Sequence, residues 1–363
     1  MLGTTKQPAV AADPGAAAPK PGYHDPKVIT ALRRFAISIS VFNILGYTVF
    51  GFEQPWLWPL VALATAYSLE LGLETLGGRI EGRPARYLGN GVRGLVEFLF
   101  PAHITALAVN MLTFPNDQIL VMLFGVVIAV GAKWILRAPV KGRLRHYMNP
   151  SNFGIAAILV LFPWASIAPP YQFTEYLHGP FDWVLPAVIV ISGTMLNAKL
   201  TNRMWLVSGW LLFFALQAVL RGLFFDTAIL GALGMMTGTA FVLFTNYMVT
   251  DPGTSPSKPW SQFLFGGGIA LAYGVITAAH VAYGLFFATA AVCLVRGLFL
   301  WGLHLVDKAR AQQAEQKRAE TEARAVTEQE AALQNAEAQP DEDLTVVPVR
   351  PAAGSGEGER VAA

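Results

Sequence analysis

A series of ten apolar runs governs the fold of this chain, because each is close to the roughly 20 residues that a membrane-spanning helix needs. The runs cover residues 31–51, 56–77, 94–114, 118–137, 151–169, 182–200, 204–224, 228–249, 261–279 and 283–305. Only 14% of the residues are charged whereas 54% are hydrophobic, and the mean hydropathy is +0.45. This composition leaves too little polar surface to enclose a water-soluble core. We therefore predict an all-α integral membrane protein of about ten transmembrane helices in contact with the lipid bilayer.

Lysine and arginine residues are concentrated in alternate loops, and this distribution predicts the orientation of the spans. The loop between the second and third runs contains Arg79, Arg83, Arg86 and Arg93, whereas the long loop at 166–181 contains no lysine or arginine. Cytoplasmic loops carry the excess of Lys and Arg in membrane proteins. Both termini are therefore predicted to lie in the cytoplasm, and the cell (inner, cytoplasmic) membrane is the expected location.

Composition divides the chain into four segments. Residues 1–29, rich in Ala, Pro and Gly, are predicted to form a disordered cytoplasmic leader, and residues 30–305 the transmembrane domain. Residues 306–336, rich in Ala, Glu, Gln, Lys and Arg, are predicted to continue the last span as a polar cytoplasmic helix. Residues 337–363 are predicted to form a disordered tail. The polar helix is either a solvated charged surface or the binding site of a protein partner.

Two glutamates inside the second run are the first ionisable candidates, because a charged side chain is unfavourable in lipid and is often functional there. Glu70 and Glu74 are four residues apart and so share one helix face near the end of the run. The interpretation that we favour is structural, with these carboxylates paired with Arg79 or Arg83. A functional role for the two carboxylates is the alternative.

His103 and Arg296 lie deeper in their runs and are stronger candidates. His103 is near the middle of the third run, where it either packs against a neighbouring helix or handles protons or contacts a cofactor. Arg296 is midway along the tenth run, where lipid does not accept a guanidinium. Its expected partner is a carboxylate of this chain or, alternatively, a phosphate or flavin carbonyl of a ligand.

Two polar segments interrupt the apolar pattern, and both are predicted on the cytoplasmic side. The first enters the fifth run, where Asn149 is expected to cap a helix with Pro150 in its first turn, and Asn152 adds a second amide. The second leaves the eighth run at residues 250–259. Its candidate ligand-binding residues are Asp251, Thr254 and Ser255. Such backbone is tolerated at membrane depth where protein or a cavity covers it, so the segments form either a shared site or two well-capped turns.

A short internal similarity suggests that the chain contains a duplication. The third run ends in NMLTFP at 110–115, and the eighth ends in NYMVTDP at 246–252. According to the charge pattern these two spans cross the membrane in opposite directions, as an inverted repeat of five spans requires. Chance similarity between short segments is the alternative explanation.

Several other functions receive no support from the sequence. A single cysteine, Cys293, excludes an internal disulfide and cannot alone hold a zinc ion or an iron–sulfur cluster, so no metal site is predicted. Neither a GxGxxG motif after a strand nor a Walker, HExxH or CxxC motif occurs, and no catalytic residue is assigned. The net charge of +2 gives no indication of nucleic-acid binding. The glycines at 266–268 lie inside a run, where close helix packing explains them.

The two polar segments also carry a family resemblance. NPSN at 149–152, with an apolar run ending LFP at 161–163, resembles the NPxNP-type segment of the NqrB/RnfD family of membrane electron-transport subunits. GMMTGTA at 234–240 and TDPGTSP at 250–256 are similar to that family's SGAT…TDPVTSP segment. The resemblance covers residues 30–305 and implies the family's ten-helix inverted-repeat fold. It also adds Thr237 and Thr239 to the candidate cofactor-binding residues.

Because this family carries flavins, the resemblance implies membrane electron transport through a bound FMN or riboflavin. The family attaches FMN to a threonine in an S/T-G-A-T motif after the fifth helix, but the interval 167–175 contains Thr174 without that motif. We therefore expect a noncovalent flavin rather than covalent FMN. The cofactor-binding residues that we predict are His103, Asn149, Asn152, Thr237, Thr239, Asp251, Thr254, Ser255 and Arg296.

Within this family the chain resembles the UnbU-type membrane proteins of enediyne biosynthesis clusters. This narrower resemblance implies a role in natural-product biosynthesis, with electron-transport or biosynthetic proteins as partners. Two other classes of function stay open. An inverted-repeat bundle without the flavin anchor could form a transporter or channel for a small solute or natural product. Alternatively, the charged C-terminal helix could hold biosynthetic enzymes at the membrane, which would make the protein a scaffold.

Overall fold

The computed structural model describes residues 26–140, 142–169 and 173–337, and helices predominate among them. The α-helices are α1 (Pro26–Leu45), α2 (Trp58–Glu81), α3 (Gly91–Leu112), α4 (Ile119–Ile135), α5 (Pro150–Leu161), α6 (Phe181–Leu196), α7 (Met204–Phe225), α8 (Ile229–Gly234), α9 (Thr239–Leu243), α10 (Pro259–Ala278) and α11 (Gly284–Glu337). Three π-helical turns follow α1, α6 and α9, and they are π1 (Gly46–Phe50), π2 (Asn197–Thr201) and π3 (Phe244–Met248). A 3₁₀ turn, Met235–Thr237, follows α8.

Two small antiparallel ladders connect the helices. Strand β1 (Thr113–Phe114) pairs with β4 (Ser166–Ile167) and so joins the end of α3 to the segment after α5. Strands β2 (Arg137–Val140) and β3 (Arg143–His146) form a hairpin between α4 and α5, with Arg137 opposite His146. The hairpin ends at His146, so its basic residues lie next to the first polar segment, which begins at Asn149.

Among the described residues, six helical segments are long and apolar enough to cross a membrane. A seventh is added if α8 and α9, which are bent by 62° at their junction, together form one span. Helices α4 and α5 are apolar but shorter, and α2 is long but carries the buried Glu70 and Glu74. A helix therefore lies within each of the ten predicted runs, although six or seven have the length and apolarity of a span. The chain is a helical, multi-pass membrane protein.

The ends of several elements differ from the predicted boundaries. Helix α1 begins at Pro26, within the segment predicted to be a disordered leader. Helix α5 ends at Leu161 instead of continuing to 169, because Pro163 lacks the N–H that a longer helix needs. The rest of the predicted leader and tail, residues 1–25 and 338–363, lies outside the described residues.

The chain divides into two compact units, Met1–Gly302 and Leu303–Ala363. In the second unit the described residues are helical as far as Glu337, and their side chains are exposed through Gln334. The first unit contains the hydrophobic core and all of the sites described below. Its fully buried side chains include Met122, Ile155, Trp210, Phe214 and Ile269.

Glycines allow two pairs of helices to pack backbone against backbone. A Cβ atom on Gly154 of α5 would collide with the carbonyl of Gly125 in α4, and one on Gly266 of α10 would collide with the backbone of α7. A Cβ atom on Gly267 would collide with the ring of Phe213. The predicted packing role of the glycines at 266–268 is therefore confirmed at Gly266 and Gly267, as expected for small residues in membrane helix contacts. At Gly268 a methyl group would make only an ordinary contact.

Helices α1 and α6 end in the same unusual turn. After π1, Gly51 adopts a left-handed conformation with φ of 77°, and the N–H of Phe52 donates to the carbonyl of Gly46 at 2.9 Å. After π2, Asn202 adopts a left-handed conformation with φ of 53°, and the N–H of Arg203 donates to the carbonyl of Asn197 at 2.9 Å. Glycine and asparagine are the residues that tolerate this conformation best. The first and sixth helices of the predicted series thus share a local structure that their sequences do not show.

Candidate functional site

The two polar segments that the sequence singles out lie against each other. Asn149 precedes α5, and its Oδ1 atom accepts from the N–H of Asn152 at 3.1 Å, which confirms the predicted helix cap. Its Nδ2 atom donates to the carbonyl of Met248, 99 residues away, at 2.9 Å. Asn149 is only 4% exposed. One buried amide therefore caps a helix and also holds the backbone just before the second segment.

The second segment is shaped by its own side chains. One carboxylate oxygen of Asp251 accepts from the N–H of Gly253 at 3.1 Å, and the other accepts from the hydroxyl of Thr254 at 2.9 Å. The hydroxyl of Ser255 donates to the carbonyl of Asp251 at 2.7 Å. Asp251 is therefore committed to a tight turn, which explains why a polar, proline-rich stretch is ordered at the end of a span.

Two arginines from distant helices hold this turn. The Nε atom of Arg203, which directly precedes α7, donates to the hydroxyl of Ser255 at 2.8 Å. The Nη1 atom of Arg296 in α11 donates to the carbonyl of Thr254 at 2.8 Å. Among the described residues, no carboxylate oxygen lies within 4.0 Å of either guanidinium. The carboxylate partner considered for Arg296 is therefore not found in the described part of the chain.

Asn152 links the site to the start of α11. Its Nδ2 atom donates to the carbonyl of Phe286 at 2.9 Å. Its side chain is completely buried, yet the Oδ1 atom has no hydrogen-bond partner among the described residues. A buried amide oxygen without a hydrogen-bond partner is unfavourable, and a hydrogen bond from a water molecule or a ligand would stabilise it.

A cavity of about 60 Å³ lies between the hairpin, the turn and α11. The side chains and backbone that define it include those of Arg145, His146, Arg203, Gly253, Ser255 and Arg296. His146 lies directly against Gly253, where a Cβ atom would collide with its ring. Burial lowers the pKa of His146, although the nearby carboxylate of Asp251 opposes this shift. The cavity is therefore lined by charged arginines and a histidine that favours its neutral form.

His103 lies in a different place, between α1, α2 and α3, and does not line the cavity. The hydroxyl of Ser40 donates to the carbonyl of Ala36 at 2.8 Å, so it must accept a hydrogen from the Nε2 atom of a neutral His103, 2.7 Å away. The Nδ1 atom then accepts from the hydroxyl of Tyr67 at 2.6 Å. Both ring nitrogens are satisfied by protein groups, which favours the interpretation of His103 as a packing residue.

Thr237 and Thr239 lie at the break between α8 and α9, and neither lines the cavity. Thr237 is exposed, and its hydroxyl donates to the carbonyl of Gly234 at 2.7 Å. Thr239 is buried at the start of α9. Of the predicted residues, Ser255 and Arg296 line the cavity. Asn149, Asn152, Asp251 and Thr254 belong to the two joined segments beside it, whereas His103, Thr237 and Thr239 lie elsewhere.

The buried glutamates have structural partners. Both carboxylate oxygens of Glu70 accept from the Nζ atom of Lys133 at 3.0 Å. Glu74 pairs with Arg83 and, at 2.6 Å, with Arg86. The predicted pairing with Arg83 is therefore confirmed for Glu74, while Glu70 pairs with a lysine from α4 that the sequence analysis did not consider.

Three basic residues that line the cavity, Arg145, His146 and Arg203, were not among the predicted site residues. No local pattern could have identified Arg203, because its partner Ser255 is 52 residues away. Among the described residues, no group of three or more His, Cys, Asp or Glu side chains is arranged to hold a metal ion.

The site cannot be assigned through a relative. Comparison with known proteins found neither a protein-family model nor a curated protein that matches this chain.

Proposed function

We propose that this chain is a membrane electron-transport protein of the NqrB/RnfD type and that the joined segments around Asn149 and Asp251 bind its redox cofactor. The observation that supports this proposal is the hydrogen bond from Asn149 to the carbonyl of Met248, because it unites the two segments that carry the resemblance. A role in enediyne natural-product biosynthesis is part of the same proposal and rests on the resemblance alone.

A noncovalent flavin, FMN or riboflavin, matches the polar groups of this site but not its volume. Arg296 lines the cavity and supplies donors, and the unpartnered Oδ1 atom of Asn152, which is buried outside the cavity lining, supplies an acceptor of the kind that flavin ring atoms need. The cavity of about 60 Å³, however, is far below the roughly 300 Å³ of typical ligand pockets. The ring system does not fit with the turn in its present position. Binding therefore requires residues 251–257 to move away from α11.

The proposal includes ten spans arranged as two inverted halves of five, with both termini in the cytoplasm. The matching turns after α1 and α6 support the two halves, because an offset of five helices is what such a repeat produces. The alternation of basic and non-basic loops supports the orientation and the cell-membrane location. In this arrangement α4 and α5 are also spans, although they are short. The segments next to each helix then complete the crossing of the membrane.

A visible absorption spectrum of the full chain, purified in a mild detergent, tests the cofactor proposal. We expect a flavin band close to one flavin per chain, and no fluorescence under ultraviolet light after the denatured protein is separated on a gel. Asn152→Leu should lose the flavin. Thr237→Val, at an exposed predicted residue outside the cavity, should retain it. A colourless protein that elutes as a single folded species would contradict the proposal.

Transport is the second candidate function, and the 62° break between α8 and α9 favours it. Broken spans and paired halves are the parts from which many transporters build a central site that opens to each side in turn. The single cysteine, Cys293, is buried one turn before Arg296 and is a natural probe of such opening. Transport predicts that a membrane-impermeant maleimide labels Cys293 from both sides of oriented vesicles, whereas a closed redox protein stays unlabelled. Cys293→Ala provides the background.

A further inference from the structure

We propose that the cavity formed by Arg145, Arg203, Arg296, Ser255 and Ser257 is a binding site for a phosphate group. The group can belong either to a free phosphate or to the headgroup of an anionic phospholipid. This inference does not depend on the flavin proposed above, because the cavity as it stands is too small for a flavin ring.

An excess of positive charge is the first argument for an anion. Three guanidiniums line the cavity, whereas the carboxylate of Asp251, whose charge acts on Arg203, already accepts from Gly253 and Thr254 within the turn. Arg203 is only 7% exposed. A buried guanidinium without a counter-ion is unfavourable, so an anion drawn from the surroundings would stabilise this arrangement.

The unused hydrogen-bonding capacity of the arginines is the second argument. A guanidinium has five N–H donors. Hydrogen bonds within the described residues use the Nε atom of Arg203 and, at 3.4 Å, its Nη2 atom, together with the Nη1 atom of Arg296. Most of the donors of these two side chains therefore have no hydrogen-bond partner among the described residues. Arginine forks are well suited to the oxygens of a phosphate.

The size and the other lining groups indicate phosphate rather than a larger anion. A volume of about 60 Å³ corresponds to roughly two water molecules, which suits a compact tetrahedral group and, with the turn in its present position, leaves no room for a nucleobase or a flavin ring. Ser257 adds a hydroxyl and His146 adds a ring nitrogen at the same wall, whereas the hydroxyl of Ser255 already donates to the carbonyl of Asp251. Several donors from separate elements then converge on one group, as the oxygens of a phosphate require.

The two sources of the phosphate are both consistent with the position of the site. The cavity lies between the hairpin that follows α4 and the turn that precedes α10. In the orientation proposed above, these connections face the cytoplasm, where anionic headgroups and soluble phosphates are both present. Basic pockets between membrane helices on this side are known to hold anionic headgroups.

Thermal unfolding of the full chain in a neutral detergent tests the proposal. Inorganic phosphate should raise the midpoint more than chloride at equal ionic strength, because a ligand that binds only the folded state stabilises it. Arg296→Gln and Arg203→Gln should weaken the apparent phosphate affinity by about tenfold or more. Arg143 lies on the same strand as Arg145 but outside the cavity, so Arg143→Gln should leave the phosphate affinity unchanged.

A second arm identifies the source. Nanodiscs of phosphatidylglycerol and of phosphatidylcholine are compared, and retained lipid is measured by native mass spectrometry. A headgroup site predicts retention of phosphatidylglycerol that Arg296→Gln removes, whereas a free-phosphate site predicts stabilisation by inorganic phosphate in both kinds of nanodisc.

If the buried arginine variants fail to fold, Arg145→Gln keeps the test decisive, because Arg145 is exposed and its loss should weaken binding without unfolding the chain. Absence of any effect of phosphate and of phosphatidylglycerol would overturn the proposal. Flavin content, measured on the same samples, shows separately whether the redox proposal holds.

Discussion

Buried charged side chains occur in two different arrangements in this structure. Between α2 and α4, the carboxylate of Glu70 and the ammonium of Lys133 form a closed pair at 3.0 Å with both side chains largely buried. Between α7, α11 and the turn, the hydrogen bonds that Arg203 and Arg296 donate within the described part of the chain go to a hydroxyl and to backbone carbonyls. The two charges of the first arrangement neutralise each other, whereas the guanidiniums of the second keep their positive charge.

This difference separates structural charges from candidate functional charges. A buried ion pair with good geometry holds two helices in register, but it has nothing left with which to bind a ligand. A buried arginine bonded to neutral groups is fixed in position and still attracts an anion. The depth of an ionisable residue in a span does not distinguish the two cases, because both Glu70 and Arg296 lie within predicted runs.

The largest expected effect is the loss of stability when the buried ion pair of Glu70 and Lys133 is broken. Glu70→Gln leaves the ammonium of Lys133 buried without a counter-ion, and we expect a loss of about 3 to 5 kcal/mol in the free energy of unfolding. Glu97→Gln is the matched control, because Glu97 pairs with the exposed Arg33 and Arg93, and such exposed pairs contribute roughly 0.5 kcal/mol each. Unfolding in a graded detergent mixture measures both variants.

The double variant Glu70→Gln with Lys133→Met sharpens this test. It removes the uncompensated charge as well as the pair, so it should recover most of the stability that the single variant loses. If the double variant is as unstable as Glu70→Gln alone, the charge of Lys133 is not the cause and the proposed contrast with the arginines fails.

A smaller effect is expected at the junction of the two polar segments. Asn149→Ala removes the cap of α5 and the donor to the carbonyl of Met248, and we expect a loss of about 2 kcal/mol. Asn149→Asp keeps an oxygen for the cap but lacks the donor, so its loss should lie between those of wild type and Asn149→Ala. Equal stability of all three proteins would show that the junction is not held by this amide.

Local sequence patterns anticipated some of these features well. Apolar length located a helix within each of the ten runs, because the requirement for lipid contact acts on every residue of a span. The cap at Asn149 was also predictable, since it depends on residues within one turn. The early end of α5 shows the limit of apolar length, because Pro163 lies in an apolar run that the helix cannot follow.

Features that depend on the packing of distant elements were not predictable. Arg203 meets Ser255 across 52 residues, and Glu70 meets Lys133 across 63, so neither pairing leaves a local signal. Its depth in the third run made His103 a candidate for the site, but Ser40 and Tyr67 hold it between other helices. Sequence therefore suggested which residues are polar and buried, and the fold decided which of them meet.

The smallest expected effect concerns the pH dependence of stability at the cavity. Burial is the largest cause of the lowered pKa of His146; Lys133 and Arg137 lower it further, whereas Asp251 and Glu70 raise it. Because the folded-state pKa lies below the ordinary value, the unfolded chain takes up a proton first as the pH falls. The contribution of this histidine to stability is therefore complete above its ordinary pKa of about 6.5 and is lost as the pH drops below it.

Comparison of unfolding midpoints at about pH 7.5 and about pH 5.5 measures this contribution. Wild type should lose more stability on acidification than His146→Gln, which has no proton to bind at this position. His178→Gln, at an exposed histidine, should behave as wild type. A steeper pH dependence in His146→Gln would mean that the charged imidazole is stabilised in the fold by Asp251. The cavity would then carry more negative charge than its arginines indicate, and its preference for an anion would be weakened.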